Sequence, residues 1–217
     1  MKKIYLLVVG CVVSASVFAQ SSTGLKFGIK AGFNLATMAS SQSIPAGVDK
    51  GSVTGFNIGG TVDVPVSSSF VIQPGLILGN KGVKVDESVE DYNVETKNNL
   101  MYLEVPVNAL YKFQSFYFGA GPYAAFALGG KTKAEGKMTE DDVTVTVDGE
   151  RDLEFGSDEE NDDYKSTDFG LNILAGYELK NGVNLGVNYG LGLSNLVNYS
   201  GEKVRNRVFS VSVGFKF

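Results

Sequence analysis

The sequence predicts an all-β fold: an eight-stranded antiparallel transmembrane β-barrel, wound as an up-and-down meander. Three observations carry this. The last thirteen residues, 205–217, alternate apolar and small or polar side chains to the final position. Eight such segments can be counted, joined by connections that are alternately short and long. The second face of those segments is glycine, asparagine, serine and charge, which suits a crowded lumen and not a lipid-facing wall.

The closing segment shows the pattern best. Phe209, Val211, Val213, Phe215 and Phe217 share one parity, while Ser210, Ser212, Gly214 and Lys216 share the other. Successive strand residues face opposite sides, so one face is oily and the other is not. Thirteen residues rise roughly 43 Å, or about 30 Å when tilted near 45°. That crosses an apolar band of about 25 Å.

At the other end, Met1-Lys2-Lys3 and the apolar run from Ile4 to Val13 precede small residues around Ala19. This predicts a signal peptide over residues 1–19, leaving 20–217 as the barrel domain. The run is too short to span a membrane as a helix. Cleavage there removes Cys11, the single cysteine, and with it any disulfide. Loss of Lys2 and Lys3 moves the formal charge from −5 to −7. No later stretch is long enough for a transmembrane helix, so a membrane location requires a closed barrel.

The strands follow in order. Phe27, Ile29, Ala31, Phe33 and Leu35 alternate with lysine, glycine and asparagine. Thr54 to Val64 repeats the rhythm, and Pro65 with Ser67, Ser68 and Ser69 turns the chain. The third segment runs from Phe70 to about Val83. Pro74 cannot donate to a ladder, so a bulge or local distortion is expected there. Leu100 to Phe113 and Phe116 to Gly129 flank a two-residue link, Gln114-Ser115. Phe169 to Leu179 and Val183 to Ser194 flank Asn181-Gly182, a two-residue hairpin signal. The long connections are about 37–52, 84–99, 131–164 and 195–204. Short turns on the periplasmic side and long loops outside are the arrangement of outer-membrane barrels.

Polarity then sets inside from outside. A cation in lipid at mid-depth costs about 2–4 kcal/mol, so the oily face points outward. Lys30, Asp63, Glu104, Lys112, Asp168, Glu178 and Arg207 are expected to form a lumen charge network, with Lys26 also available as a cation. Buried charges need partners, and these groups can supply one another. An acid pair among the carboxylates is the competing reading.

The chain has no histidine, which excludes histidine-based acid–base and Ser-His chemistry. No catalytic residue, cofactor-binding residue, metal ligand or cofactor is expected. Residues 131–164 are distinctive. They hold four basic and thirteen acidic residues, net −9. Val143, Val145 and Val147 alternate with Thr144 and Thr146, and Asp148-Gly149 follows. Either the flanking barrel strands extend as a hairpin above the membrane, or a separate hairpin forms. The acidic run 158–163 could attract Ca²⁺, yet it lacks the spacing of a calcium loop and also reads as a solvated acidic loop. A docking surface for a basic partner is a further reading. Nothing supports nucleotide or nucleic-acid binding.

Several segments resemble a known family. They are residues 25–36, Gln73-Pro74-Gly75-Leu76 with Lys81-Gly82, Tyr102-Leu103-Glu104-Val105-Pro106, and Phe118-Gly119-Ala120-Gly121-Pro122-Tyr123. Together they resemble the PorT-like outer-membrane β-barrels of Bacteroidetes-type bacteria. The alternating end, Phe209 to Phe217, resembles the signal read by the barrel assembly machinery. The resemblance implies an eight-stranded barrel with periplasmic termini and no single activity, and the long acidic segment departs from the family pattern. The expectations are a monomer in outer-membrane lipid, met by the assembly machinery, with a protein partner at the acidic loop. Three functions follow: a non-enzymatic surface protein, a narrow pore or secretion helper, and a soluble ligand-binding barrel.

Overall fold

The alternating segments become paired strands in the computed structural model, which describes residues 24–42, 45, 47–89, 92–140, 143–158, 161–199 and 201–217. The expected signal peptide lies outside the described residues. Ten strands form: β1 (Lys26–Ser40), β2 (Val48–Gly51), β3 (Val53–Pro65), β4 (Phe70–Val89), β5 (Tyr92–Phe113), β6 (Phe116–Glu140), β7 (Val143–Asp152), β8 (Thr167–Glu178), β9 (Val183–Gly192) and β10 (Val204–Lys216). Eight of them, β1, β3, β4, β5, β6, β8, β9 and β10, pair antiparallel with each neighbour. The ring closes through β1 and β10, in register from Gly28↔Lys216 to Ser40↔Val204. Backbone bonds between Phe27 and Phe217 complete the seam. Closure leaves no unpaired edge within the membrane, as a lipid solvent demands.

The outer face is the expected oily one. Ile29, Phe33, Phe56, Ile58, Phe169, Ile173, Val211 and Val213 are all exposed, Phe33 by 73%. Near the short turns the rings meet in pairs: Phe70 with Tyr111, Tyr111 with Phe118, Phe116 with Tyr177, and Phe215 with Phe217. Such a girdle sits where hydrocarbon gives way to headgroups. Residues of the other parity point inward, among them Asn34, Asn57, Asp63, Asn108, Asp168, Asn172 and Lys216, all buried. A soluble barrel with a wet exterior is therefore ruled out.

The turns differ in detail from the sequence expectation. Asn181-Gly182 is not a two-residue loop. Leu179 N bonds Val183 O and Gly182 N bonds Leu179 O, with positive φ at Gly182 alone (+90°). This is a three-residue loop ending in a left-handed glycine. The two-residue link is at Gln114-Ser115, where Gln114 takes a φ of +55°. At Pro74 the β3–β4 ladder skips a stretch between Thr61↔Gly75 and Val64↔Ile72 without changing register. The bulge lies elsewhere, on β6, where Leu128 is the extra residue between Gly129↔Met101 and Ala127↔Tyr102.

The long connections are the largest departure. Residues 84–89 and 92–99 are strand, not loop, because β4 and β5 continue paired to Val89↔Tyr92. β6 continues too, pairing with β5 as far as Met138 and with β7 from Lys131 to Glu140. β2 joins β4 over Lys84 to Glu87. A five-stranded sheet, β2-β4-β5-β6-β7, thus rises past the ring. The eleven β6 residues beyond Gly129 extend about 35 Å along the strand. Both hairpin readings were partly right: one arm is a prolonged barrel strand and the other, β7, is new. Asp148 and Gly149 lie within β7, opposite Glu135 and Ala134.

Candidate functional site: the lumen and the extracellular cleft

Two layers of charge cross the barrel interior. In the lower one, near the short turns, Asp63 Oδ2 accepts from Lys216 Nζ at 2.8 Å and Lys112 Nζ at 2.9 Å. Its Oδ1 accepts from Gln73 Nε2 at 2.6 Å. Glu178 Oε2 accepts from the same two lysines at 3.1 Å each, and its Oε1 lies 3.7 Å from Lys26 Nζ. Two cations shared by two carboxylates make a closed ring of charge. Beside it, Val71, Leu110 and Tyr117 pack together. Gly176 and Gly186, opposite each other on β8 and β9, leave the room that the Tyr117 phenol occupies.

In the upper layer, Lys81 Nζ lies 3.0 Å from both Asp168 Oδ2 and Glu104 Oε2. It also sits over the Tyr123 ring, 4.2 Å from the centroid, a cation–π geometry. Asp168 is fully buried and further accepts from Ser194 Oγ, Asn206 Nδ2 and Tyr123 Oη. Glu104 Oε1 accepts from Asn172 Nδ2, and Asn172 Oδ1 accepts from Asn188 Nδ2.

Lys30 lies between the layers with no hydrogen-bond or ion-pair partner among the described residues. It lines two small cavities, of about 60 and 30 Å³. Asn108 Oδ1 is buried with no hydrogen-bond partner among the described residues, and Asn108 and Tyr102 both line the larger cavity. A space that size with polar walls suits a few ordered waters. The four lumen cations, Lys30, Lys81, Lys112 and Lys216, match four carboxylates, Asp63, Glu104, Asp168 and Glu178. Lys30 offsets the extra carboxylate of the upper layer.

Six of the seven expected lumen residues are thus brought to the interior. Arg207 is the exception and a correction. It shares the outward parity of Phe209 and Val211, and its Nη1 donates to the carbonyls of Gly192 and Asn206 at 2.8 Å each. Near the end of the strand the guanidinium is satisfied by backbone, so it needs no lumen partner. Lys81 and Lys216 take the part expected of Arg207. Their signal was parity: Lys216 alternates with Phe215 and Phe217, and Lys81 shares the parity of buried Ile77. Phe209, Val211, Val213, Phe215 and Phe217 all lie on the outer face, each exposed.

Above the upper layer the barrel mouth is closed by an apolar cap that sequence reading missed. Met38, Val83, Leu100, Tyr102, Tyr123, Ala125, Leu153 and Leu196 form one buried cluster, with Phe155 and Tyr164 packed against it. Leu196 comes from a segment read as a long connection, and Leu153 and Phe155 from one read as the return of a hairpin, so neither was expected to plug the mouth. Residues 153–158 lie against 161–164 through bonds from Gly156 N to Tyr164 O and from Asp163 N to Glu154 O. Arg151 fastens them with a two-pronged pair to Asp163, at 2.8 and 2.6 Å. That pair, helped by the backbone N–H of Glu154, holds the Asp163 carboxyl below the usual carboxylate range. No group of carboxylates among the described residues is arranged to hold a metal ion; Glu159 and Glu160 of the acidic run lie outside them.

Between the cap and the rising sheet lies a cleft of about 540 Å³. Met38, Val83, Val85, Leu153, Val197 and Val204 give it an apolar floor; Lys50, Thr96, Asn98, Thr132, Arg151, Asp162, Tyr164 and Tyr199 stand around it. Two grooves of comparable size lie on the outer wall beside Ile29, Phe33 and Ile58, but these are lipid-facing. Burial pushes the Tyr164 phenol up to about 12, so it stays protonated while its oxygen accepts from Asn98 Nδ2 at 3.0 Å.

Among solved structures, the chain is similar to Ail, the attachment invasion locus protein of Yersinia pestis, in complex with the heparin analogue sucrose octasulfate. There the identity is 12%, the TM-score is 0.48, and the match covers 89% of this chain and 99% of that one. It is similar to Neisserial surface protein A at 14% identity and TM-score 0.37, covering 88% and 97%. It is also similar to the outer membrane protease OmpT of Escherichia coli at 8% identity and TM-score 0.38, covering 90% and 97%. No curated protein sequence matches. The model of the outer membrane protein beta-barrel domain matches residues 18–198, well over half of the chain. With its oily wall outward and its ring closed, this protein belongs to the outer membrane protein beta-barrel domain family and resides in the outer membrane.

Proposed function

We propose that this is a non-enzymatic surface protein of the outer membrane that meets a basic partner through its extracellular sheet and acidic segment. The observation that carries the reading is a contrast. The lumen is filled by two charge layers and an apolar cap, whereas β4, β5 and β6 continue beyond the ring and are joined there by β2 and β7. Residues 131–164 carry net −9, and Asp148, Glu150 and Asp152 on β7 are exposed. A concentrated charge of one sign steers an oppositely charged partner and is screened by salt. The lack of histidine supports a non-enzymatic role by removing the commonest general base. The narrower PorT-like placement rests on Tyr102 to Pro106 and remains part of this proposal.

Two measurements test it. In planar bilayers the purified protein should stay silent; steady single-channel currents would favour the narrow pore or transport helper. In nanodiscs it should bind a lysine-rich peptide with an affinity that falls as salt rises. The combined variant Asp148→Asn, Glu150→Gln, Asp152→Asn should lose most of that binding. Undiminished binding by the variant would reject the acidic segment as the docking surface.

A further inference from the structure

We infer that the 540 Å³ extracellular cleft binds an uncharged saccharide, one or two residues at the end of a neutral glycan. The inference rests on the reading of the extracellular part as the working end of the protein, and adds a ligand class to it.

The cleft is built on two rows of the rising sheet. Val83, Asn98, Thr132 and Arg151 lie opposite one another on β4, β5, β6 and β7. Lys50, Val85 and Thr96 form the adjacent row on β2, β4 and β5. The volume falls within the usual range of small-ligand sites, about 300–1,000 Å³.

Charge narrows the ligand. Lys50 and Arg151 are balanced by Asp162 and Asp163, and three of the four charges are already engaged. Arg151 is bound at both prongs by Asp163, and Asp162 Oδ2 accepts from Asp158 N at 2.7 Å. Of the cleft's two cations only Lys50 has no partner among the described residues, and a strongly anionic ligand would meet it under a segment of net −9. A cationic ligand would find Asp163 already paired with Arg151 and Asp162 Oδ2 already held by the Asp158 N–H.

Neutral hydrogen-bonding groups remain. Thr96 Oγ1, Thr132 Oγ1 and Tyr199 Oη have no partner among the described residues, and Asn98 has its carbonyl oxygen to offer beyond its bond to Tyr164. A purely apolar ligand would cover these groups without satisfying them, at a desolvation cost. A sugar ring presents C–H groups on its faces and hydroxyls around its rim. The valine, leucine and methionine floor and the Tyr199 and Tyr164 rings suit the first; the hydroxyls and amide suit the second.

The test uses full-length protein in nanodiscs on an array of neutral, sialylated and sulfated oligosaccharides. Calorimetry with a retained neutral oligosaccharide follows. Retention of neutral glycans is expected. Tyr199→Ala, and separately Thr96→Val with Thr132→Val, should weaken binding at least tenfold. Lys50→Ala should change it less than threefold. Each variant is checked for the heat-sensitive electrophoretic shift of a folded barrel, and Tyr199, exposed and outside the cap cluster, gives a substitution the fold tolerates. Retention confined to sulfated or sialylated glycans, retention of none, or unchanged affinity in the tyrosine and threonine variants would each overturn the inference. The lysine-peptide experiment depends on exposed β7 carboxylates outside the cleft, so the two readings can fail separately.

Discussion

Lys216 Nζ lies 2.8 Å from Asp63 Oδ2, joining the closing strand to β3 across the whole width of β1. The two residues are 153 positions apart in the chain. Their pair spans the seam at which the ring closes, and Asp63 is 1% exposed. Removing the carboxylate strands buried Lys216 and half-buried Lys112, which Glu178 alone must then balance. Breaking a buried pair by deleting one partner costs about 3–5 kcal/mol. Asp63→Ala should therefore lower the urea midpoint of unfolding in detergent micelles more than Arg207→Ala, whose side chain lies outside the lumen. Equal shifts would contradict the assignment of the two faces.

The glycines opposite Tyr117 make a second prediction. A Cβ at Gly176 would fall 2.3 Å from the Tyr117 phenol and 2.4 Å from the carbonyl oxygen of Leu185. Overpacking of this kind costs about 1–3 kcal/mol. Gly176→Ala should reduce the unfolding midpoint, whereas Gly149→Ala, where a Cβ meets nothing within 4 Å, should not.

Gln114 gives a change in the other direction. Its φ of +55° is a left-handed conformation at the first position of a two-residue turn. Such a conformation costs an L-residue roughly 1–2 kcal/mol, against which glycine brings extra freedom to the unfolded chain. Gln114→Gly should stabilise the barrel by up to about 1 kcal/mol, read from the same titration.

The Arg151–Asp163 clamp predicts a pH dependence. Its hydrogen-bonded pairing lowers the folded pKa of Asp163 beneath the unfolded value, which is about 3.9. Stabilisation by this pair is therefore present above that value and lost as pH falls through the folded pKa. Protection factors of residues 153–158 and 161–164, corrected for the intrinsic pH dependence of amide exchange, should be the same at pH 7 and pH 5 and fall below about pH 4. Asp163→Asn should show the reduced protection already at pH 7.

The charge network shows how far parity reaches. Counting back from Phe217 by twos separates inward from outward residues along all of β10, and the same count sends Arg207 outward. Assigning it to the lumen followed the general cost of charge in lipid, which does not apply where a long side chain can reach strand-end carbonyls. Lys81 and Lys216 are placed inward by the same counting. That they share carboxylates supplied by β3, β5 and β8 is not visible in any local window.

Strand period, oily wall, ring closure and membrane location were determined by the amino-acid order alone, because a strand has a period of two and lipid tolerates only one face of it. Tertiary structure decided how far the strands run past the membrane, how the cap and cleft assemble, and which charges pair. Those features join residues tens to more than a hundred positions apart, through irregular backbone or through strand ends freed from lipid, where no periodic pattern constrains the chain.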